Sequence, residues 1–349
     1  MVKPERNYGC RWSEWEIKGL RAIVLENQLL RVTILQDKGT DIYEFLYKQK
    51  DIDFMWRSPQ GLTNPYRQLP LAVPQNSFFM DYYQGGWQEV FPNGGNACSY
   101  LGADLGQHGE VALLSWDKVI IVDEPEEVSI KFWVRTVKTP FYLEKTFTIR
   151  EGISSLAIEE RLVNEGRFPM QYMWGHHPAI GKPFLNEYCL VQLPGGTVIT
   201  GLHQVAGSRL VEGQRSSWPF AKGVKGEEID LSRLMKEGSG YQDMCFITDL
   251  TEAWYRIINP VNGVTFGLEW DIKEFPNLWF WQENGSKGNY PWYGRAYCVA
   301  LEPFNCKVPV LKEAAAANEA GIIGPGEEKR TWLKVNVAEG TGGIKNGTS

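Results

Sequence analysis

The chain has little histidine and no organised cysteine. Four histidines, His108, His176, His177 and His203, occur in 349 residues. The six cysteines, Cys10, Cys98, Cys189, Cys245, Cys298 and Cys306, form no C-x-x-C pair. Their scatter along a long chain argues against a zinc ribbon or a disulfide-dense secreted scaffold. No run of 18 apolar residues is present, so no membrane-spanning helix is expected. No basic run offsets a net charge of −6, which argues against nucleic-acid and membrane-surface partners. The start, Met-Val-Lys-Pro-Glu-Arg, leads into no apolar segment, so no signal peptide is expected and a reduced, cytoplasmic protein is the expectation. On that expectation the sequons Asn284-Gly285-Ser286 and Asn346-Gly347-Thr348 are chance matches. A G-x-S-x-G elbow, a P-loop, a strand-linked G-x-G-x-x-G and an H-E-x-x-H helix are all missing, which removes phosphoryl transfer, dinucleotide chemistry and zincin hydrolysis.

What the chain does have is apolar residues (43%), many rings (14 Trp, 15 Tyr, 16 Phe) and a turn-rich content of 36 Gly and 19 Pro. The dominant period is two. Val128, Ile130, Phe132 and Val134 alternate with Ser129, Lys131, Trp133 and Arg135, and runs at 142–149 and 155–162 follow across turns at Arg150-Glu151-Gly152 and Asn164-Glu165-Gly166. Such runs predict consecutive antiparallel strands. Further strands are expected at 21–25, 29–34, 41–46, 245–248, 254–258, 265–270, 278–282, 297–301 and 330–337. Helix content is confined to a turn at 231–235 and the alanine-rich 313–320, with Gly321 as the expected cap. No βαβ alternation exists, so the class is all-β: one large antiparallel β-sandwich over residues 1–339, with 340–349 as a disordered tail.

Candidate chemistry clusters in a few segments. His108 lies in Gln107-His108-Gly109-Glu110, and His176 and His177 lie in Gly175-His176-His177-Pro178. Imidazoles flanked by Gly and Pro suit a cleft at a loop or strand end, and their charge changes near neutral pH. Glu302 ends the apolar run Val299-Ala300-Leu301-Glu302, where an unpaired acid is costly, so it is either ion-paired or positioned for use. Asp243 precedes the strand at 245–248, and Glu89 lies in Trp87-Gln88-Glu89-Val90. Rings at Trp87, Trp174, Trp279, Trp281 and Tyr293 suit sugar faces or a core equally well.

In order, these segments resemble the aldose 1-epimerase, galactose mutarotase-like family: an Asn-Gly loop (Asn93-Gly94-Gly95), His108-Gly109, His177-Pro178, Asp243, Leu301-Glu302-Pro303, and Gly324-Pro325-Gly326-Glu327 before a last strand. The resemblance spans roughly residues 20 to 338. It implies the galactose mutarotase-like supersandwich and acid–base ring opening of a sugar, without cofactor or metal. It implies His177 as the acid on the ring oxygen, Glu302 as the base on the anomeric hydroxyl, and His108 and Asp243 as hydroxyl-binding residues. Asn93, Glu89, Trp87, Trp281 and Arg295 complete the expected substrate site. The chain departs from the family at Asn93-Gly94-Gly95, which lacks the usual Asn-Arg pair; Arg295 or Arg57 is the alternative guanidinium. The expected partner is a small sugar, with a homodimer left open. Two other readings stay open on the residues: a metal-dependent lyase or isomerase using His108, Glu110, His177 and Glu302, and a non-catalytic carbohydrate-binding protein.

Overall fold

The computed structural model describes residues 6–67, 77–201, 204–286, 288 and 290–340. His203 and residues 341–349 of the expected tail lie outside the described residues. The alternating segments form strands: Glu127–Arg135, Phe141–Arg150 and Ser155–Asn164 pair antiparallel, as do their counterparts along the chain. Along Phe141–Arg150 the inward side chains are buried, for example Phe141, Leu143, Phe147 and Ile149.

Two large sheets result. The twelve-stranded one runs, edge to edge, Arg11–Ile17, Leu20–Glu26, Leu30–Leu35, Asp41–Tyr47, Trp87–Val90, Gly175–Ile180, Tyr297–Phe304, Asn277–Asn284, Tyr241–Thr248, Thr197–Thr200 and Arg215–Ser217, with Ile52–Asp53 beside Asp41–Tyr47. The eight-stranded one runs Leu190–Gln192, Trp254–Asn259, Val264–Trp270, Glu328–Glu339, Ser155–Asn164, Phe141–Arg150, Glu127–Arg135 and Asp117–Asp123. They share one apolar core, bridged by contacts such as Phe45 on Phe266 (6.0 Å between centroids). This is the all-β sandwich the alternation predicts. No helix among the described residues is long and apolar enough to cross a membrane.

Three expectations of local structure change. Residues 231–235 form no helix: 231–232 make a turn and Arg233 bridges to Leu190. The alanine-rich helix is shorter, Leu311–Ala316, and Gly321 opens a strand instead of capping it. Asn318 takes the left-handed position (φ 55°), with Asn318 N–H on the Ala315 carbonyl (3.2 Å) and Glu319 N–H on that of Ala314 (2.9 Å). That is a Schellman ending with asparagine in glycine's role. The His176–His177 segment is not a loop or strand end but an interior strand, buried along its whole length.

The core also holds charge. Lys145 and Glu160 are cross-strand partners on the eight-stranded sheet, and His176 and Glu89 are partners on the facing one. Lys145 Nζ lies 2.6 Å from Glu89 and 3.9 Å from Glu160, while His176 Nε2 lies 3.0 Å from Glu160. Trp174 Nε1 donates to Glu89 (2.8 Å) and Trp87 Nε1 donates to His176 Nδ1 (3.1 Å). An indole can only donate, so His176 accepts at Nδ1 and carries its proton on Nε2, directed at Glu160. Burial pushes the Glu160 carboxyl up to about 7 against the opposing pull of Lys145, and burial pushes His176 down to about 3.

Removing the only cation of this network leaves two buried carboxyls uncompensated. We expect Lys145→Met to cost about 3–5 kcal/mol at pH 8. A carboxyl whose folded pKa is raised contributes stability that is full below its unfolded value and lost as pH rises through the folded one. The cost should therefore shrink at pH 5.5, where Glu160 takes up its proton. Urea denaturation of both proteins at both pH values checks it, and an equal cost at both would sink the assignment.

Candidate active site

Alternation along one strand sets the site. His176 points between the sheets, so His177 points to the outer face of the twelve-stranded sheet. On one side its register partner is Gln88; on the other, Gly175 and Ala179 pair with Phe304 and Ala300, which puts Glu302 on the same face. His177 Nε2 lies 3.5 Å from Glu302 Oε1. On the far side of the imidazole, the Tyr83 hydroxyl lies 3.3 Å from Nδ1. Both Glu302 and His177 are buried.

His108 arrives from a loop with unusual backbone. Its φ is 59°, and Gly109 follows at 77°. A Cβ on Gly109 would sit 2.1 Å from the Phe91 carbonyl oxygen, so only glycine fits there. His108 Nδ1 lies 2.6 Å from the Gly94 carbonyl, which makes it the protonated nitrogen and leaves Nε2 as an acceptor. The ring stands edge-on to Phe79 (4.5 Å) and 5.5 Å from the His177 ring. Trp281 (5.6 Å from His177), Tyr83, Trp56 and Trp292 complete an aromatic surround, the last two 5.0 Å apart.

Burial governs the electrostatics. With no Lys or Arg paired to it among the described residues, burial holds Glu302 well above the usual carboxylate range. Burial first, then neighbouring His108, pushes His177 down to about 3, and burial pushes His108 to about 4. Burial therefore disfavours the charged form of both Glu302 and His177, which favours a neutral pair with one transferable proton. Tyr83 extends the pair: with its O–H donating to Nδ1, the imidazole proton sits on Nε2, towards Glu302; with the proton on Nδ1, Nε2 is free to accept from Glu302.

The described residues match, over residues 17–337, the model of a family described as Domain of unknown function (DUF4432). The chain belongs to that family. No curated protein matches it in sequence. Among solved structures it is similar to a candidate aldose 1-epimerase from Klebsiella pneumoniae, at 13% identity and TM-score 0.76 over 95% of this chain and 88% of that one. It is also similar to a galactose mutarotase-like protein from Clostridium acetobutylicum, at 14% identity and TM-score 0.64 over 95% and 99%. A third is a galactose mutarotase related enzyme from Lactobacillus acidophilus, at 16% identity and TM-score 0.62 over 93% and 99%. This DUF4432 chain thus has the galactose mutarotase-like fold, and its low identity makes it a divergent example.

Several expected site residues of the DUF4432 chain lie elsewhere. Asp243 is inside the strand Tyr241–Thr248, opposite Gln282, and so faces away from Met244 and Trp281. It pairs with Arg209 Nη2 at 2.6 Å and accepts from the Arg209 backbone N–H at 2.8 Å. Glu89 and Trp87 face inward, in the Lys145–His176 network. Asn93 is spent on backbone: its Nδ2 donates to the Asn96 and Gly106 carbonyls and its Oδ1 accepts from Leu311 N–H, each at 2.9 Å. Arg295 is exposed and bonds the Trp292 carbonyl (3.2 Å), while Arg57 pairs with Asp53 (2.7 Å) and stacks on Tyr43. Glu110 turns to the backbone of Val137 and Lys138 (2.8 Å each), so the four residues of the metal reading do not converge. Among the described residues, no group of three or more His, Cys, Asp or Glu is placed to hold a metal ion.

The sequence reading missed Tyr83, Trp56, Phe79, Trp292 and Gln88. The run Phe78-Phe79-Met80-Asp81-Tyr82-Tyr83-Gln84 was the available signal, since a ring-rich stretch around a short helix has to cover something. Two surface clefts of about 430 Å³, one lined by Gln204, Ser208 and Glu212 and the other by Arg215, Asp249 and Lys307, include none of the His108, His177 and Glu302 set.

The depressed histidines give a sign to the acid response. A folded pKa below the unfolded value contributes stability that is present above about 6.5 and lost as pH falls through the folded value. From pH 7 to pH 5, His108 alone should account for about 2 kcal/mol of lost stability. Glu160 works in the opposite direction and offsets part of the total. His108→Asn should show a fall smaller than wild type by that amount in urea titrations at the two pH values; an unchanged fall would rule out a buried neutral His108.

Proposed function

We propose that this chain is a cofactor-independent sugar mutarotase or close epimerase, opening and reclosing the ring of an aldose or related sugar. The observation that carries the reading is the buried His177–Glu302 pair, 3.5 Å apart. The fold shared with mutarotase-like structures supports it, and the ring-lined surround suits a sugar's C–H faces.

Ring opening needs one proton delivered to the ring oxygen and one removed from the anomeric hydroxyl. The chain supplies both from the pair once its single proton moves to His177. Glu302 then takes the proton from the anomeric hydroxyl as His177 Nε2–H protonates the ring oxygen, breaking the C1–O5 bond. The Tyr83 hydroxyl oxygen then accepts from Nδ1–H and stabilises the imidazolium. Rotation about C1–C2 and reversal of both transfers gives the other anomer and restores the pair. No step leaves the enzyme with a net change in protons.

Glu302→Gln should lower the anomerisation rate about 100- to 10,000-fold while leaving the fold intact. His177→Asn should do the same, whereas His176→Asn, on the other face, should act on stability at matched folded concentration. Polarimetry on a freshly dissolved α-sugar, with near-UV circular dichroism as the folding control, measures each. Near wild-type turnover in Glu302→Gln would falsify the base assignment, and sugar binding without anomerisation in the wild type would favour a carbohydrate-binding protein.

A further inference from the structure

A second polar cluster sits beside the pair and the chemistry above makes no use of it. Lys38, Asp41, Gln84 and Gln88 are all fully buried. One oxygen of Asp41, Oδ2, accepts from Lys38 Nζ (2.8 Å), Gln84 Nε2 (2.8 Å) and Gln88 Nε2 (3.1 Å). Gln88 Nε2 also donates to the Gly85 carbonyl (2.8 Å). A carboxylate only accepts, so both amides must present nitrogen to it, and both amide oxygens are turned away. The consequence is specific: among the described residues, Asp41 Oδ1, Gln84 Oε1 and Gln88 Oε1 are buried without a hydrogen-bond partner. An unmet buried acceptor is costly, so three in one cluster call for an explanation.

Position ties the cluster to the reaction centre. Gln88 is the register partner of His177 and shares its face. Gln84 follows Tyr83, whose hydroxyl meets His177. Burial first, with Cys298, Glu302 and Asp41 adding to it, keeps that tyrosine protonated, so Asp41 lies within electrostatic reach of it. The turn that carries Lys38 is pressed against Ala112, where a Cβ on Gly39 would come within 2.6 Å, and Ala112 packs with Phe79 and Tyr83.

We propose that Lys38, Asp41, Gln84 and Gln88 form a subsite that reads two neighbouring hydroxyls of an uncharged sugar. The chemistry selects that group. Three free acceptors require donors, and the Lys38 ammonium, with one acceptor among its bonds given above, requires further acceptors; a hydroxyl is both at once. Lys38 and Asp41 cancel in charge. A phosphate or carboxylate would meet the three acceptor oxygens with no uncompensated cation to offset the repulsion, so phosphorylated and oxidised sugars are excluded. The inference rests on the mutarotase reading only for what the bound sugar then undergoes.

The test separates binding from turnover. The probes are D-glucose, D-galactose, D-mannose and L-fucose, their 2-, 3- and 4-deoxy forms, D-glucuronate, D-galacturonate and D-glucose 6-phosphate. Binding is read by isothermal titration calorimetry and anomerisation by exchange NMR, on wild type, Gln88→Met and Gln84→Met. The expected result is a preference for one neutral sugar over two of its adjacent monodeoxy forms by about 100-fold or more in affinity. In the glutamine variants that preference should fall below about 10-fold, with the loss in KM and not in kcat. Two glutamine variants keep the test open should one fail to fold. Undiminished deoxy discrimination in the variants, or a preference for the uronate or phosphate, would overturn the subsite. Deoxy discrimination in binding with no anomerisation overturns the mutarotase reading and leaves the subsite standing; anomerisation without discrimination does the reverse. No binding of any neutral sugar overturns both.

Discussion

A single peptide step, from His176 to His177, separates the charged network between the sheets from the His177–Glu302 pair on the outer face. The strand Gly175–Ile180 is paired on both sides, so its side chains have no freedom except to alternate. His176 goes between the sheets, where Lys145, Glu89 and Glu160 already stand. His177 goes to the outer face, where Glu302 and Tyr83 meet it. Slipping this strand by one residue would put the wrong imidazole in each place, and the pairing with Trp87–Val90 forbids the slip. The inner network therefore fixes the register on which the outer pair depends.

The two buried carboxyl systems are built on opposite electrostatic principles. Inside, Glu89 and Glu160 are offset by Lys145, so charge is tolerated between the sheets at the cost of a rigid geometry. Outside, Glu302 has no Lys or Arg paired to it among the described residues, and burial keeps its proton on or near it. An ion-paired Glu302 would be a fixed anion and a poor partner for a proton that must move. A carboxyl and an imidazole 3.5 Å apart, each with its charged form disfavoured by burial, are placed so that a small change in surroundings could move a proton between them.

Legibility of the sequence followed exposure. Strands with one wet face, such as Phe141–Arg150, alternate in polarity and were readable to within a residue or two. Strands buried on both faces carry no such pattern: Gly175–Ile180 reads as a loop because Gly and Pro flank two histidines, yet all six residues are buried. Asp243 shows the cost of a misplaced strand start. Beginning the strand at Cys245 left its direction open, whereas the real start at Tyr241 fixes it away from Trp281. Glu89 and Trp87, expected in the substrate site, lie on the inner face. His177 and Glu302 were legible because their motifs kept chain order with a known family, and the structure brings them together. Lys38 and Asp41 were not, since nothing local in Asp37-Lys38-Gly39-Thr40-Asp41 shows that two glutamines more than forty residues away will close over them.

The arrangement also divides the site: Gln88 and the His177–Glu302 pair sit on strands, and the surrounding rings other than Trp281 sit on connections. Gln88, His177 and Glu302 occupy three adjacent strands, so hydrogen-bonded backbone sets their spacing and none can drift relative to the others. Phe79, Tyr83, His108 and Trp292 come from the short helix, the turns and the loops over that face, which can differ in length without disturbing the sheet. A proton transfer tolerates little error in distance, whereas stacking on a sugar face tolerates more. Geometry that must be fixed is therefore assigned to the sheet, and geometry that selects among ligands is assigned to the connections.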